Sequence, residues 1–429
     1  MDQFQLSAKT RNVLIGFAGL GLICLLITLI NGDEVNSRFW SNLLHNSVFF
    51  TGIALMAVFF ISVCITAYAG WHVVFKRVWE AFSMFLPVGF VLMAIIAVGI
   101  WGHWHHLYEW ADESIVAGDE LLTSKSGFLN KGWYTFGTLL IVAVWIFFAY
   151  KLRSLSLAED QQGTDQYSFY KRSKVWAAIF LPIAGFSSAA VIWQWIMSIE
   201  PHWYSTLFAW YTGASWFVSM ICLTLLVLLY LKSKGYYENV TGEHIHDLGK
   251  FLFAFSVFWT YLWFSQYMLI WYGNVGEETV YFQKRMEEYP VLFYGNLLIN
   301  FFLPFFVLMR NDTKRKVGTI TFAAIAVLFG HWLDFFQMIK PGVWSTTEHI
   351  LHSHGAADAA GDHGHEAAHG AAEHASNFVA GFTVPGLLEI GIFLGFTALF
   401  FLVVAHYLSK ASLVAKNDPF LAESVHHHV

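Results

Sequence analysis

One stretch limits the fold more than any other. Residues 249–274 read GKFLFAFSVFWTYLWFSQYMLIWYGN, an apolar run with no charge after Lys250. About 20 apolar residues cross the hydrocarbon layer of a bilayer, and the Trp271-Tyr272 pair near its end is the kind found at a headgroup boundary. The run therefore reads as a membrane-spanning helix. Ser256, Thr260, Trp263 and Tyr267 recur along it at helical spacing and share one side, which is expected to face protein. Those hydroxyls either hydrogen-bond neighbouring helices or line a path for protons or a quinone headgroup.

The rest of the chain agrees. Hydrophobic residues make up 57% of its 429 positions and charged ones 13%, too apolar for a soluble globule. Ten spans are expected: 12–31, 48–68, 82–101, 134–152, 175–199, 215–231, 249–274, 291–309, 319–339 and 385–407. The fold class is thus an all-α polytopic membrane protein. Lys and Arg fall eighteen against six on the two sides, which puts both termini in the cytoplasm. Cys24, Cys64 and Cys222 all lie in apolar runs without paired spacing, so neither a disulfide framework, a covalent c-type haem nor a cysteine-held iron–sulfur cluster is expected on this chain.

Polar groups inside spans carry the functional signal, because an ionisable side chain there is costly unless paired or hydrated. His331 and Asp334 stand three residues apart in the ninth span, close enough to interact, as a structural pair or as members of a proton relay. In the fifth span Ser187, Gln194 and Ser198 share a face leading to Glu200 and His202. In the eighth, Asn296, Asn300 and Pro304 recur every four residues, and Pro304 deprives the Asn300 carbonyl of its helical donor. Glu389 follows Pro385 where a helix N-terminus favours its charge. The word Gly-His-Trp occurs twice, around His103 and around His331, a faint internal echo. Seven histidines between His349 and His374 mark an Ala/Gly/His-biased loop, read as flexible or ordered by a partner, with loose Zn²⁺ or Cu²⁺ binding as the alternative. The terminal ESVHHHV reads either as native or as a purification remnant.

Residues 258–274 with the following Glu277-Glu278-Thr279-Val280-Tyr281-Phe282, together with WQWIMSIEPHWYST at 193–206, resemble the F subunit of bacterial alternative complex III. That complex is a quinol:cytochrome c (or cupredoxin) oxidoreductase, and the family is NrfD-like, of the polysulfide-reductase membrane-subunit type. The resemblance covers most of the chain. It implies two four-helix bundles, 47–199 and 205–340, with the first and tenth spans outside, a periplasmic His-rich loop at 341–384 and the last span at 385–407. It also implies a bacterial inner membrane location. The expected partners are a homologous quinol-oxidising membrane subunit, an iron–sulfur/molybdopterin-like periplasmic subunit, multihaem cytochrome c subunits and lipids. Menaquinol or another quinol is the substrate of the complex, haem c and iron–sulfur clusters sit on partner subunits, and no cofactor is bound by this chain. His331, Asp334, Glu200, His202, Gln194, Ser198, Tyr267, Thr260, Asn296, Asn300, Glu389 and His103 are the candidates for a proton path or quinone site. Two other classes stay open: a haem b-bearing quinol dehydrogenase, which needs paired axial histidines, and a secondary transporter, which favours broken spans in matching halves.

Overall fold

The computed structural model describes residues 3–31, 35–162, 167–359 and 379–428. Among them there is no strand, only two isolated β-bridges, and ten helices are long and apolar enough to cross a membrane. They are α1 (Ala8–Ile30), α2 (Ser37–Thr66), α3 (Val73–Trp101), α4 (Lys131–Gln161), α5 (Ser168–Ile199), α6 (Leu207–Ser233), α7 (Gly242–Gly273), α8 (Pro290–Leu308), α9 (Val317–His349) and α10 (Leu387–Leu408). The chain is a multi-pass helical protein. All ten expected spans are present, mostly longer than their apolar stretches suggest, because polar residues extend the helices beyond the apolar core at each end.

Helices α2 and α6 form the centre and are almost wholly buried. Helix α2 packs against α3, α5, α6, α9 and α10, and α6 against α5, α7 and α9. Helix α4 packs against α3 and α5, and α8 against α7 and α9. Where lipid is as apolar as leucine, association rests on close packing and interhelical hydrogen bonds rather than on hiding apolar surface. Phe50 of α2, ringed by Phe85 of α3 and by Phe393, Phe396 and Phe400 of α10, illustrates the packing.

Two prolines leave marks. The third span breaks into Lys76–Ser83 and Leu86–Trp101, with Pro87 in the first turn of the second piece, where its missing N–H costs nothing. In α8 the helix widens to a π turn over Leu298–Phe302, immediately before Pro304. The freed carbonyl expected at Asn300 is accommodated in this way. Pro341, by contrast, sits inside a helix that runs uninterrupted over Val317–Ala359. The ninth span thus continues far past residue 339 into the segment expected to be loop, although Pro341 and Gly342 open that extension. The remainder of the histidine-biased loop, 360–378, lies outside the described residues.

Helix α1 packs along α10, and glycine makes that contact possible. A Cβ on Gly21 would stand 2.4 Å from the Gly395 Cα, so the two backbones touch. One turn away, a Cβ on Gly391 would lie 2.5 Å from Cys24 Sγ and 3.4 Å from its Cβ, close to the spacing of a disulfide. Gly391→Cys is therefore expected to cross-link to Cys24 under mild oxidation. A linked peptide pair in mass spectrometry, absent after reduction, checks it; a variant that stays unlinked would mean α1 lies elsewhere.

Candidate functional site

Helix α9 carries Asp334 and His331 into the centre, both fully buried. Three donors converge on the carboxylate. Tyr211 OH of α6 donates to Oδ1, Ser215 Oγ of α6 to Oδ2 at 3.1 Å, and Trp259 Nε1 of α7 to Oδ2 at 3.0 Å. Ser215 Oγ also meets His331 Nδ1 at 2.8 Å. His331 and Asp334 thus communicate through a hydroxyl bridge rather than directly. The reason is the α6 stripe Tyr211, Ser215, Ser219, which repeats every four residues and faces α9.

The hydroxyl has one proton. When Ser215 donates to a charged Asp334, His331 Nδ1 must donate to Ser215, and Nε2 is then a bare acceptor. That Nε2 is buried with no hydrogen-bond partner among the described residues. No salt bridge among the described residues reaches Asp334, so when ionised it is held by neutral donors alone.

A cavity of mixed lining opens from Asp334 toward the end of the molecule that is poor in Lys and Arg. It leaves about 20 Å³ for the centres of water molecules and is lined in part by Tyr211, Gln266, Tyr281, Arg285 and Gln337. That suffices for water and is far too small for an aromatic ring. Arg285, on the short helix Gly276–Glu287, closes the far side. Its guanidinium pairs with Glu200 at 2.9 Å and lies 3.4 Å from the centre of the Tyr281 ring, which itself stacks on Trp203 at 3.8 Å. Burial disfavours the Arg285 cation, but the charge and hydrogen bond of Glu200 together with the Tyr281 and Tyr289 phenols outweigh it, so its pKa rises. Burial pushes the Tyr281 phenol up as well. Glu200, with its side chain 20% exposed, carries the Arg285 pair to the surface.

Some candidates join this site and others do not. Asn296 does, through a 2.5 Å hydrogen bond from Nδ2 to Gln337 Oε1. Asn300 packs against Gly330, where a Cβ would fall 2.2 Å from its Oδ1, and neither of its amide atoms has a hydrogen-bond partner among the described residues. Thr260 spends its hydroxyl on the Ser256 carbonyl at 2.8 Å, and Tyr267 stacks on Trp263. The buried face of α7 along its apolar run is Leu252, Ser256, Trp259, Leu262, Gln266 and Ile270; Ser256 of the expected stripe lies on it, and Thr260, Trp263 and Tyr267 flank it half-buried, with Trp263 lining the cavity. Gln194 and Ser198 lie between α5 and its neighbours, Ser198 bonding the Gln194 carbonyl at 2.5 Å. His202 is on the surface, paired with Asp119 at 2.6 Å, where the Leu122 amide and the His202 hydrogen bond lower the carboxyl pKa. His103 is exposed in a left-handed turn with φ of 52°.

Glu389 belongs to a separate assembly. Arg38 grips it at 2.9 and 3.0 Å, Asn42 adds a bond at 3.0 Å, and the Gly386 N–H reaches it at 3.0 Å. Lys340 meets Ser41 of the same helix at 2.7 Å, while His45 and Asn46 hold Trp332. These bonds tie α2, α9 and α10 together, a structural use that needs no proton transfer.

At the opposite, basic end stands a network the span-by-span reading missed. Arg77 bonds Glu80 at 2.6 Å and Asp160 at 2.5 Å, Arg153 approaches Glu80 at 3.7 Å, and Lys76 pairs with Asp418 and approaches Glu159 at 3.9 Å. Asp418 lies on the tail after α10, which folds back beneath the helices. Ser424 Oγ accepts the Val74 N–H at 3.1 Å and donates to the Trp71 carbonyl at 2.8 Å, and His427 meets Asp247 at 2.7 Å. The terminal histidine run is thus engaged with the fold. The missed residues shared one signal: charges at the predicted ends of spans, taken as interfacial, point inward.

No protein-family model matches this chain, and no curated protein is similar to it.

Proposed function

We propose that the chain is a proton-conducting and assembly subunit of a respiratory quinol:cytochrome c (or cupredoxin) oxidoreductase of the alternative complex III type. In this reading it sits in the bacterial inner membrane with its basic end cytoplasmic, as two four-helix bundles of α2–α5 and α6–α9 flanked by α1 and α10. The observation that carries it is the chain His331, Ser215, Asp334 ending at a water-sized cavity.

The arrangement supports a relay with balanced protons. A proton arriving at the bare His331 Nε2 makes the ring cationic; Nδ1 passes its proton to Ser215 Oγ, and Ser215 passes its own to Asp334 Oδ2. The products are a neutral His331 and a neutral Asp334. Asp334 then releases its proton to water in the cavity, with Glu200 and Arg285 leading to the periplasm. Quinol oxidation would occur on a homologous partner subunit, with iron–sulfur and haem c centres on further partners. A second quinone pocket at Asp334 is disfavoured by the size of the cavity.

The first test is purification from native membrane in mild detergent, with mass spectrometry and a visible spectrum. Co-purification with a multihaem cytochrome c and an iron–sulfur subunit is the expected result. A lone, colourless protein that shows substrate-dependent flux in vesicles would replace this reading with a transporter.

A further inference from the structure

A second cavity lies outside everything described so far. At the basic end, α1, α6, α9 and α10 leave a groove of about 330 Å³ between them. Its walls are apolar except for Thr10 and Tyr230, whose hydroxyls stand 3.5 Å apart. Leu14, Leu226 and Phe401 line it and are half-buried. The segment before α1 closes one end of it. Gln3 Nε2 donates to the Ser409 carbonyl at 2.7 Å just after α10, while Phe4 packs on Tyr236 and the Gln5 amide reaches the Tyr236 hydroxyl at 3.4 Å just after α6.

The groove's surroundings are positively charged. Lys9 and Arg11 flank Thr10, Lys232 follows Leu231, Lys234 lies 5.7 Å from the Tyr230 ring, and Lys410 comes two residues after Leu408. Lys9, Arg11, Lys234 and Lys410 are exposed. An apolar slot of this volume, two hydroxyls and a cationic rim at a membrane boundary suit one class of molecule: a long acyl chain joined to an anionic head. Each lysine near such a surface adds attraction for anionic lipid, and the slot accepts the chain without reorganisation.

We infer that this groove binds one anionic phospholipid of the leaflet at the basic end, with an acyl chain between α1, α6 and α10 and its phosphate beside Lys9 and Lys234. The lipid would fill the gap left where α1 stands away from the helix centre. The inference needs only the helical arrangement and the charge at that end, and it stands whether or not the respiratory reading does.

Native mass spectrometry of the full chain released from nanodiscs tests it, with dioleoyl phosphatidylglycerol and dioleoyl phosphatidylcholine as competing probes. The expected result is one retained phosphatidylglycerol, preferred about tenfold over phosphatidylcholine. Leu14→Trp and Leu226→Trp, which fill the slot, should abolish retention of either lipid. The pair Lys9→Gln with Lys234→Gln, both at exposed positions, should keep the chain and lose the preference. Equal retention of the two lipids by the unaltered protein, or a preference untouched by the lysine pair, would overturn the inference. If a tryptophan variant does not fold, the lysine pair decides alone.

Discussion

Asp334→Asn is expected, on the proposed relay, to cut proton-coupled turnover of the proposed complex by about a hundredfold or more, the scale of a lost acid–base group, while leaving its assembly intact. The amide keeps the volume and one acceptor for Tyr211, Ser215 and Trp259, but it cannot take a proton. Ser215→Ala separates relay from simple charge stabilisation. It leaves Asp334 and His331 in place and removes the atom that joins them, so a relay loses nearly as much as in Asp334→Asn. Tyr211→Phe removes one donor to a charged acceptor and should cost about tenfold. Turnover and proton release in proteoliposomes, with subunit stoichiometry measured alongside, supply the readout. Full proton coupling in assembled Ser215→Ala would sink the relay. Replacing Asp334 with leucine is a poor test, since three buried donors would lose their acceptor and the fold itself would suffer.

The second large effect belongs to the tail. Lys76→Met leaves the Asp418 carboxylate buried without its partner, a loss of about 3–5 kcal/mol for a broken buried pair. The tail from residue 409 is then expected to detach, with rapid hydrogen exchange over 411–428 and early proteolytic cleavage. Combining Lys76→Met with Asp418→Leu should recover much of the loss, because apolar residues can replace a buried ion pair without penalty. Acid should act like the single variant. Burial alone would raise the Asp418 pKa, but the Lys76 charge and hydrogen bond, with the Phe420 amide and His72, outweigh it, so the folded value is lowered. A lowered folded pKa stabilises the docked tail above the unfolded value of about 3.9, and that contribution disappears as pH falls through the folded value. Docking should therefore hold from neutral pH to about 4 and fail below it. Exchange rates of the tail that ignore both pH and Lys76→Met would show that other contacts hold it.

How much of this was readable in advance can be judged residue by residue. His331 and Asp334 stood out because charge in an apolar run is costly, and both lie at the centre of the site. Tyr211 and Ser215 did not, since a span drawn from 215 placed Tyr211 in a loop and gave Ser215 no face. Trp259 and Gln266 fall outside the stripe of Ser256, Thr260, Trp263 and Tyr267, because helical spacing alone leaves the rotation of α7 about its axis open. The two Gly-His-Trp words show the limit plainly. One sits in an exposed turn with His103 at positive φ, the other deep within α9, and nothing in three letters distinguishes them.

The sequence alone determined the helical class, the ten apolar segments, the imbalance of basic residues between the two ends and the presence of ionisable groups within the spans, because each follows from local composition and the thickness of a bilayer. Tertiary structure decided which side of each helix turns inward, that a serine joins histidine to aspartate, that Arg285 returns from a short outer helix to seal a cavity, and that the tail's Asp418 completes a pair with Lys76. These depend on the rotation of helices about their axes and on contacts between residues more than a hundred positions apart. The local pattern leaves both open, since any face with a small or polar residue offers a neighbour an acceptable contact in a medium that rewards apolar surface equally on every side.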